Sequence, residues 1–207
     1  MLDKQRIFAH RGLWGPGRDG NSLEALEQAI SLGFSIETDI RDHLGKVVVS
    51  HDPVPEGLDP IALDYLIGLS QNSETYLALN VKADGLLGLL PSASHKHFFF
   101  DMSSPETLRY SKSEHLIALR LSDLEPELTP RGVAAEWLWL DGFQDDWYLE
   151  LDFTAFAEYR GVVIVSPELH QRPKSATWKF AVSKWRQVPN LCICTDFPEE
   201  FLWELNR

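Results

Sequence analysis

GVVIVSPEL, residues 161–169, carries an unbroken apolar run up to its Ser-Pro break. A strand with one wet face alternates apolar and polar residues. A run without alternation fits a strand buried on both faces, as in a parallel sheet covered by helices. LCICTDFP (191–198) reads the same way. Further β-rich runs lie upstream at RIFAHRG (6–12), FSIETDIR (34–41), TYLALNVK (75–82), HFFFDMS (97–103), HLIALRLS (115–122) and AAEWLWLD (134–141). Eight strand candidates separated by helical or polar segments predict an α/β fold, a (β/α)8 TIM barrel, with residues 1–207 as one domain. About 250 residues is usual for such a barrel, so 207 residues call for a compact version with shortened helices. An open doubly wound sheet is the alternative.

The connecting segments support helices in places. NSLEALEQAISLG (21–33) sets Leu23, Leu26 and Ile30 on one side, with Ser22 as N-cap and Gly33 as the stop. SSPETLRYSKSE (103–114) opens on Ser-Pro and reads as a short helix. RDHLGKVVVSHDP (41–53) turns at Leu44-Gly45 and runs on through three valines, which predicts a hairpin-like excursion after the second strand.

A formal net charge of −12 argues against attraction to nucleic acid or an anionic membrane surface. An anionic substrate then needs a local positive site or a metal. No run approaches the roughly 20 apolar residues of a membrane helix, and MLDKQRIFAHRG lacks the apolar core of a secretory signal, so a cytoplasmic location and no stable membrane insertion are expected. Cys192 and Cys194 are two apart on a strand, which is poor geometry for a disulfide, and no further cysteine supports a zinc-thiolate site. HKH (95–97) reads as a solvated turn before a strand. The alternating tryptophans of EWLWLD read as core or helix-facing packing.

Strand alternation sends Glu37 and Asp39 to one face, where two carboxylates repel unless a cation or proton joins them. That is half of a hard-metal site, although alone the pair reads more readily as a solvated strand face. Asn80 and Lys82 of LALNVK also share a face. The amide oxygen could complete a metal shell and the ammonium could neutralise a phosphoryl oxygen, or both could sit on an exposed edge. His10 and His51 each close an apolar run before a turn, followed by Arg11 and Asp52. Two imidazoles across one pocket could act as base and acid at phosphorus.

HRG (10–12), the Asn-Ser pair at 21–22, ETD (37–39), the glycine turn and SHDP (50–53), in that order and spacing, resemble the glycerophosphodiester phosphodiesterase family, part of the wider group of phosphatidylinositol-phospholipase-C-like barrels. The resemblance is strongest over residues 7–56, recurs at LNVK (79–82) and returns in CTDFP (194–198). It implies that His10 and His51 are the catalytic acid and base, that Arg11 and Lys82 contact the substrate phosphate, and that Glu37 and Asp39 hold one divalent cation, Mg²⁺ or Ca²⁺. The family's third acidic position falls on Asn80, an amide that can still offer oxygen but leaves two formal negative charges instead of three. The segment after His51-Asp52 is also short beside the insertion family members commonly carry there, which predicts an open or differently specific pocket.

If the strands are placed correctly, Asp101, Ser103, Arg120, Ser122, Trp139, Asp141, Glu168 and Asp196 lie near the same rim. Packing or salt-bridge roles suit them, and Thr195 and Asp196 could cap the final turn. The activity implied is metal-dependent hydrolysis of a small glycerophosphodiester-like substrate to an alcohol and a phosphomonoester. The alternatives are a non-catalytic barrel that binds a phosphodiester or sugar phosphate, and a lyase that yields a cyclic phosphate.

Overall fold

The computed structural model describes residues 4–128 and 130–207. Its strands are β1 (Ile7–His10), β2 (Ser35–His43), β3 (Lys46–Val49), β4 (Leu77–Val81), β5 (His97–Phe100), β6 (Leu116–Ser122), β7 (Trp137–Asp141), β8 (Gly161–Val165) and β9 (Leu191–Thr195). All but β3 are parallel and run in the order β1-β9-β8-β7-β6-β5-β4-β2. The β1–β2 pairing closes them into an eight-stranded barrel. Each of the eight predicted runs supplies one barrel strand, and the open doubly wound sheet is excluded by closure.

β3 pairs antiparallel with β2 outside the barrel. Leu44 and Gly45 form its turn with φ of 48° and 77°, the left-handed pair that matches strand twist in a two-residue hairpin. After β3 the Ser50 N–H donates to the Asp39 carbonyl at 3.0 Å. This bond returns the chain to the barrel mouth at His51.

The α-helices are α1 (Leu23–Leu32), α2 (Leu63–Ser70), α3 (Ser104–Tyr110), α4 (Ser175–Lys184) and α5 (Pro198–Leu205). Ser22 caps α1 by accepting from the Ala25 N–H, and Gly33 ends it at φ 84°. The buried stripe of α1 is Ala25, Leu26 and Ala29, and Leu23 lies exposed in the first turn. Leu23 shares a side with Leu26 and Ile30 yet stays exposed, because a helical side chain leans toward the N-terminus and at the first position has no preceding turn to cover. Between β6 and β7 the described residues form no helix, and Pro126, Pro130 and Gly132 in that stretch oppose one. Only 3-10 turns follow β4 (Leu87–Leu89) and β7 (Trp147–Glu150, Phe153–Phe156). These replacements fit a barrel into 207 residues.

Strand alternation divides the core in two. Ile36, Leu77, Phe99, Leu138 and Ile164 face the helices, whereas Phe8, Phe98, Phe100, Trp137, Trp139, Val163, Cys192 and Cys194 fill the barrel. Inside, Phe98 stacks on Trp137 at 4.4 Å and Phe100 on Trp139 at 4.2 Å. The EWLWLD tryptophans therefore plug the barrel. His97 departs from expectation: it is the first residue of β5, 2% exposed, and packs edge-on to Phe99. Burial and the neighbouring His115 pull its imidazole down to about 4, so it is a neutral core residue. Among the described residues no helix is long and apolar enough to cross a membrane.

Candidate active site

At the C-terminal ends of the barrel strands lies an open cleft of about 460 Å³, and its wall includes His10, Arg11, Glu37, Asp39, His51, Asn80 and Lys82. All seven residues singled out in the sequence therefore meet at one mouth. Register explains much of this: His10 stands beside Glu37, and Asp39 beside Asn80. The sterically filled barrel below leaves chemistry only this rim.

The chain leaves β1 through a tight bend. Arg11 takes φ 59° and its N–H donates to the Glu37 carbonyl at 2.8 Å. Gly12 follows at φ 83°, where a Cβ would meet the Ala25 backbone at 2.7 Å, so close approach of α1 demands glycine. The bend turns Arg11 across to Asp39, with Nε 3.0 Å from Oδ2 though not aligned as a hydrogen bond. Lys82 Nζ lies 3.2 Å from the other oxygen. Asn21 donates to Oδ2 at 2.9 Å and is itself held by the Thr38 hydroxyl at 2.7 Å. Burial alone would push the Asp39 carboxyl up, but Lys82, Arg11 and the Asn21 bond outweigh it and hold it below the usual range. In the sequence Asn21 stood out only within the Asn-Ser pair of the resemblance, with no role of its own.

Glu37 is 3% exposed, and its Oε2 has no hydrogen-bond partner. Burial pushes its carboxyl up to about 7; His10, Lys82 and Arg11 oppose the shift and the Asp39 charge adds to it. His10 Nε2 faces Glu37 Oε2 at 3.8 Å, while Nδ1 donates to Asp196 Oδ1 at 2.6 Å. Burial works against a charged imidazole here, yet the Asp196 bond and the charges of Glu37 and Asp196 prevail and raise its basicity. Asp196 thus orients the catalytic candidate rather than merely capping the final turn. Glu168 holds that turn by accepting from the Thr195 hydroxyl and from the Asp196 N–H. Nothing in the sequence ties residue 10 to residue 196; barrel closure at β1–β9 does.

His51 reaches the same cleft half-exposed, with Nδ1 3.0 Å from Asp52 Oδ1. Across the mouth stand Asp101, Arg120, Trp139 and Asp141, as the strand ends predicted, together with Phe143 and His170. His170 donates to Asp141 at 2.6 Å. It was missed because it ends a 3-10 turn after β8, and an isolated His in SPELHQR carries no periodic signal. Ser103 and Ser122 are structural. Ser103 caps α3 and donates to Asp84, and Ser122 accepts from the Leu124 and Glu125 N–H groups.

The buried oxygens left without partners include Glu37 Oε2 and Asn80 Oδ1. An uncompensated buried acceptor is costly, and with Asp39 alongside, these atoms form an oxygen-only set of the type hard divalent cations take. The residues present therefore fit Mg²⁺ or Ca²⁺. Among the described residues no group of three or more His, Cys, Asp or Glu is arranged around a metal position.

No protein-family model matches the sequence, and no curated protein matches it. Solved structures do match in fold. A protein of Agrobacterium tumefaciens provisionally named a glycerophosphoryl diester phosphodiesterase has a TM-score of 0.64 at 12% identity, covering 97% of each chain. An Oleispira antarctica phosphodiesterase in complex with its product sn-glycerol-3-phosphate has a TM-score of 0.63 at 14% identity, covering 97% of this chain and 96% of that one. A Silicibacter pomeroyi protein, also provisionally named a glycerophosphoryl diester phosphodiesterase, follows at 0.59 and 14%, covering 97% and 94%. The resemblance read from HRG, ETD and SHDP thus extends to the fold of the whole chain. At such identities the fold is what is shared, and the activity has to be argued from the cleft.

Proposed function

We propose that the protein is a phosphodiesterase that hydrolyses a small glycerophosphodiester-like substrate to an alcohol and a phosphomonoester. The observation that carries this reading is the His10–Asp196 pair, aimed at a cleft that also gathers Glu37, His51 and the cations Arg11 and Lys82. Fold likeness to the Oleispira antarctica phosphodiesterase supports it.

Arg11 and Lys82 are the local positive site that a chain of net charge −12 needs in order to hold a phosphodiester anion. They stabilise the charge that grows on the phosphoryl oxygens in the transition state. Asp196 accepts from Nδ1 of His10, which fixes the tautomer and leaves Nε2 to take a proton. His10 removes that proton from the nucleophile, either water, which gives the phosphomonoester directly, or a neighbouring substrate hydroxyl, which gives a cyclic phosphate that a second attack by water opens. The new P–O bond forms as the bond to the leaving alcohol breaks, and His51 protonates the departing oxygen. Glu37, Asp39 and Asn80 would hold one divalent cation, which when bound supplies Lewis-acid stabilisation of a phosphoryl oxygen.

Phosphorus NMR of glycerophosphodiesters incubated with the protein and Mg²⁺, Ca²⁺, Mn²⁺ or chelator tests the proposal. A phosphomonoester signal is expected, and a lasting cyclic phosphate would instead identify a lyase. His10→Ala and His51→Ala should each lower turnover by about 10²-fold or more. Asp196→Asn should lower it while also lowering the His10 pKa read by proton NMR. Full turnover in His10→Ala would overturn the assignment.

A further inference from the structure

A phosphodiester held at Arg11 and Lys82 sends its ester arms away from the phosphate, and the opposite wall of the cleft is where an arm can be read. In the closed strand order β8 lies four places from β4, so the turn that follows β8 stands across the mouth from Lys82. That 3-10 turn, Pro167–His170, brings His170 to the cleft. Its Nε2 donates to Asp141 Oδ1 at 2.6 Å, which fixes the tautomer and leaves Nδ1 as an acceptor. Among the described residues no group bonds Nδ1, and the side chain is 22% exposed, so this lone pair meets the open cleft.

The wall around this imidazole is braced. The Phe143 ring centroid lies 4.7 Å from that of His170, and Asp123 pins the Phe143 loop by accepting from the N–H groups of Phe143 at 3.0 Å and Asp145 at 3.1 Å. Arg172 Nη1 donates to the Gly142 carbonyl at 2.7 Å, which ties the turn after β8 to the loop after β7. The guanidinium of this wall is already engaged on both edges: Arg120 has Asp101 2.9 Å from Nη1, and Glu125 2.9 Å from Nε and 2.8 Å from Nη2. With Asp101 on Arg120 and Asp141 on His170, the wall offers an acceptor suited to a neutral hydroxyl rather than an unpaired carboxylate suited to an ammonium group.

We infer that His170 is a specificity-determining residue that accepts a hydrogen bond from a hydroxyl on one arm of the substrate, with Asp141 as its positioning residue. The imidazole selects diesters with a hydroxylated arm over those whose arm is a bare alkyl chain or ends in an ammonium group. The inference rests on the phosphodiesterase reading above and adds the group that reads the alcohol. His170→Phe is a suitable probe because it keeps a ring against Phe143 and removes both ring nitrogens.

The test is calorimetric titration of the whole chain, in excess Mg²⁺, with sn-glycerol 3-phosphate, propyl phosphate and 2-aminoethyl phosphate, which share the phosphate and differ in the arm. Wild type should bind the glycerol ester about tenfold or more tighter than either of the others. His170→Phe should bring the three to within about twofold of one another and leave the affinity for propyl phosphate unchanged. Asp141→Asn should lower the preference as well, and nitrogen-15 NMR should show His170 losing its single tautomer. Circular dichroism establishes that each variant is folded. If folded His170→Phe keeps the full preference, or loses affinity equally for all three compounds, His170 does not read the hydroxyl; the inference falls and the phosphodiesterase reading stands. A His170-dependent gain confined to 2-aminoethyl phosphate also overturns it. If wild type binds none of the three, the phosphate site fails together with the inference.

Discussion

Glu37 illustrates what it costs to assemble such a cleft. Its carboxyl is buried beside Asp39 and lies 3.8 Å from His10, and burial, eased by His10, sets its folded value at about 7 against an ordinary 4.5. Because the folded value lies above the unfolded one, folding favours the protonated form. The protein without divalent cation is then most stable below about 4.5 on this account, and stability drains away as pH rises through 7. His10, whose folded value is also raised, acts in the same direction: its stabilising charge is present below 6.5 and lost as pH rises through its folded value. Glu37→Gln keeps the shape and removes the titration. In chelator at pH 8 it should gain on the order of 3 kcal/mol relative to wild type, and the two should converge near pH 4.5. Urea unfolding across that range measures the difference, and parallel pH profiles would show that Glu37 is not the strained group.

The β2–β3 hairpin shows how an element outside the barrel serves the site. It carries the chain out from Asp39 and returns it to place His51 at the mouth. Its turn is strained at Leu44, which sits at φ 48° and is 88% exposed, a conformation that a γ-branched apolar residue adopts at a cost without packing in return. Leu44→Asn creates the Asn-Gly pair preferred in such turns and should stabilise the fold by about 0.5–1 kcal/mol, read as a higher urea midpoint with an unchanged slope. The hairpin was legible in the sequence because a glycine turn between β-rich runs is a local signal. So were the eight barrel strands, since burial on both faces writes itself as apolar blocks such as GVVIV. Elements that depend on remote partners were not legible. His97 looked solvated in HKH because nothing local reveals His115, whose ring lies beside it along with that of Phe99 on its own strand. Asp196 acquires its partner His10 only when the first and last strands pair, and His170 acquires Asp141 only when β7 and β8 lie side by side.

At the scale of the molecule, two cores share one wall of strands, and the inner one sets how tightly the barrel can close. Trp137 lies at the centre of that inner core, stacked on Phe98, edge-on to Phe8 and edge-on to Tyr76. Across the β7–β8 pairing it stands in register with Gly161, and a Cβ at residue 161 would collide with the Trp137 ring. Glycine there is a packing requirement: the indole occupies the volume a side chain would need, and a close-packed interior cannot absorb an added carbon. Gly161→Ala should therefore destabilise the protein by about 1–3 kcal/mol, and Trp137→Leu by a comparable amount as the stack on Phe98 is lost. Combined, the two should be less costly than their sum, because the smaller side chain at 137 vacates the space that the new methyl fills. A coupling of at least about 1 kcal/mol in favour of the double variant is expected from residues in direct contact. Denaturant titrations of the four proteins close the cycle. Simple additivity would mean that the strands move apart to admit the methyl, and that barrel closure is set by the outer, helix-facing core instead.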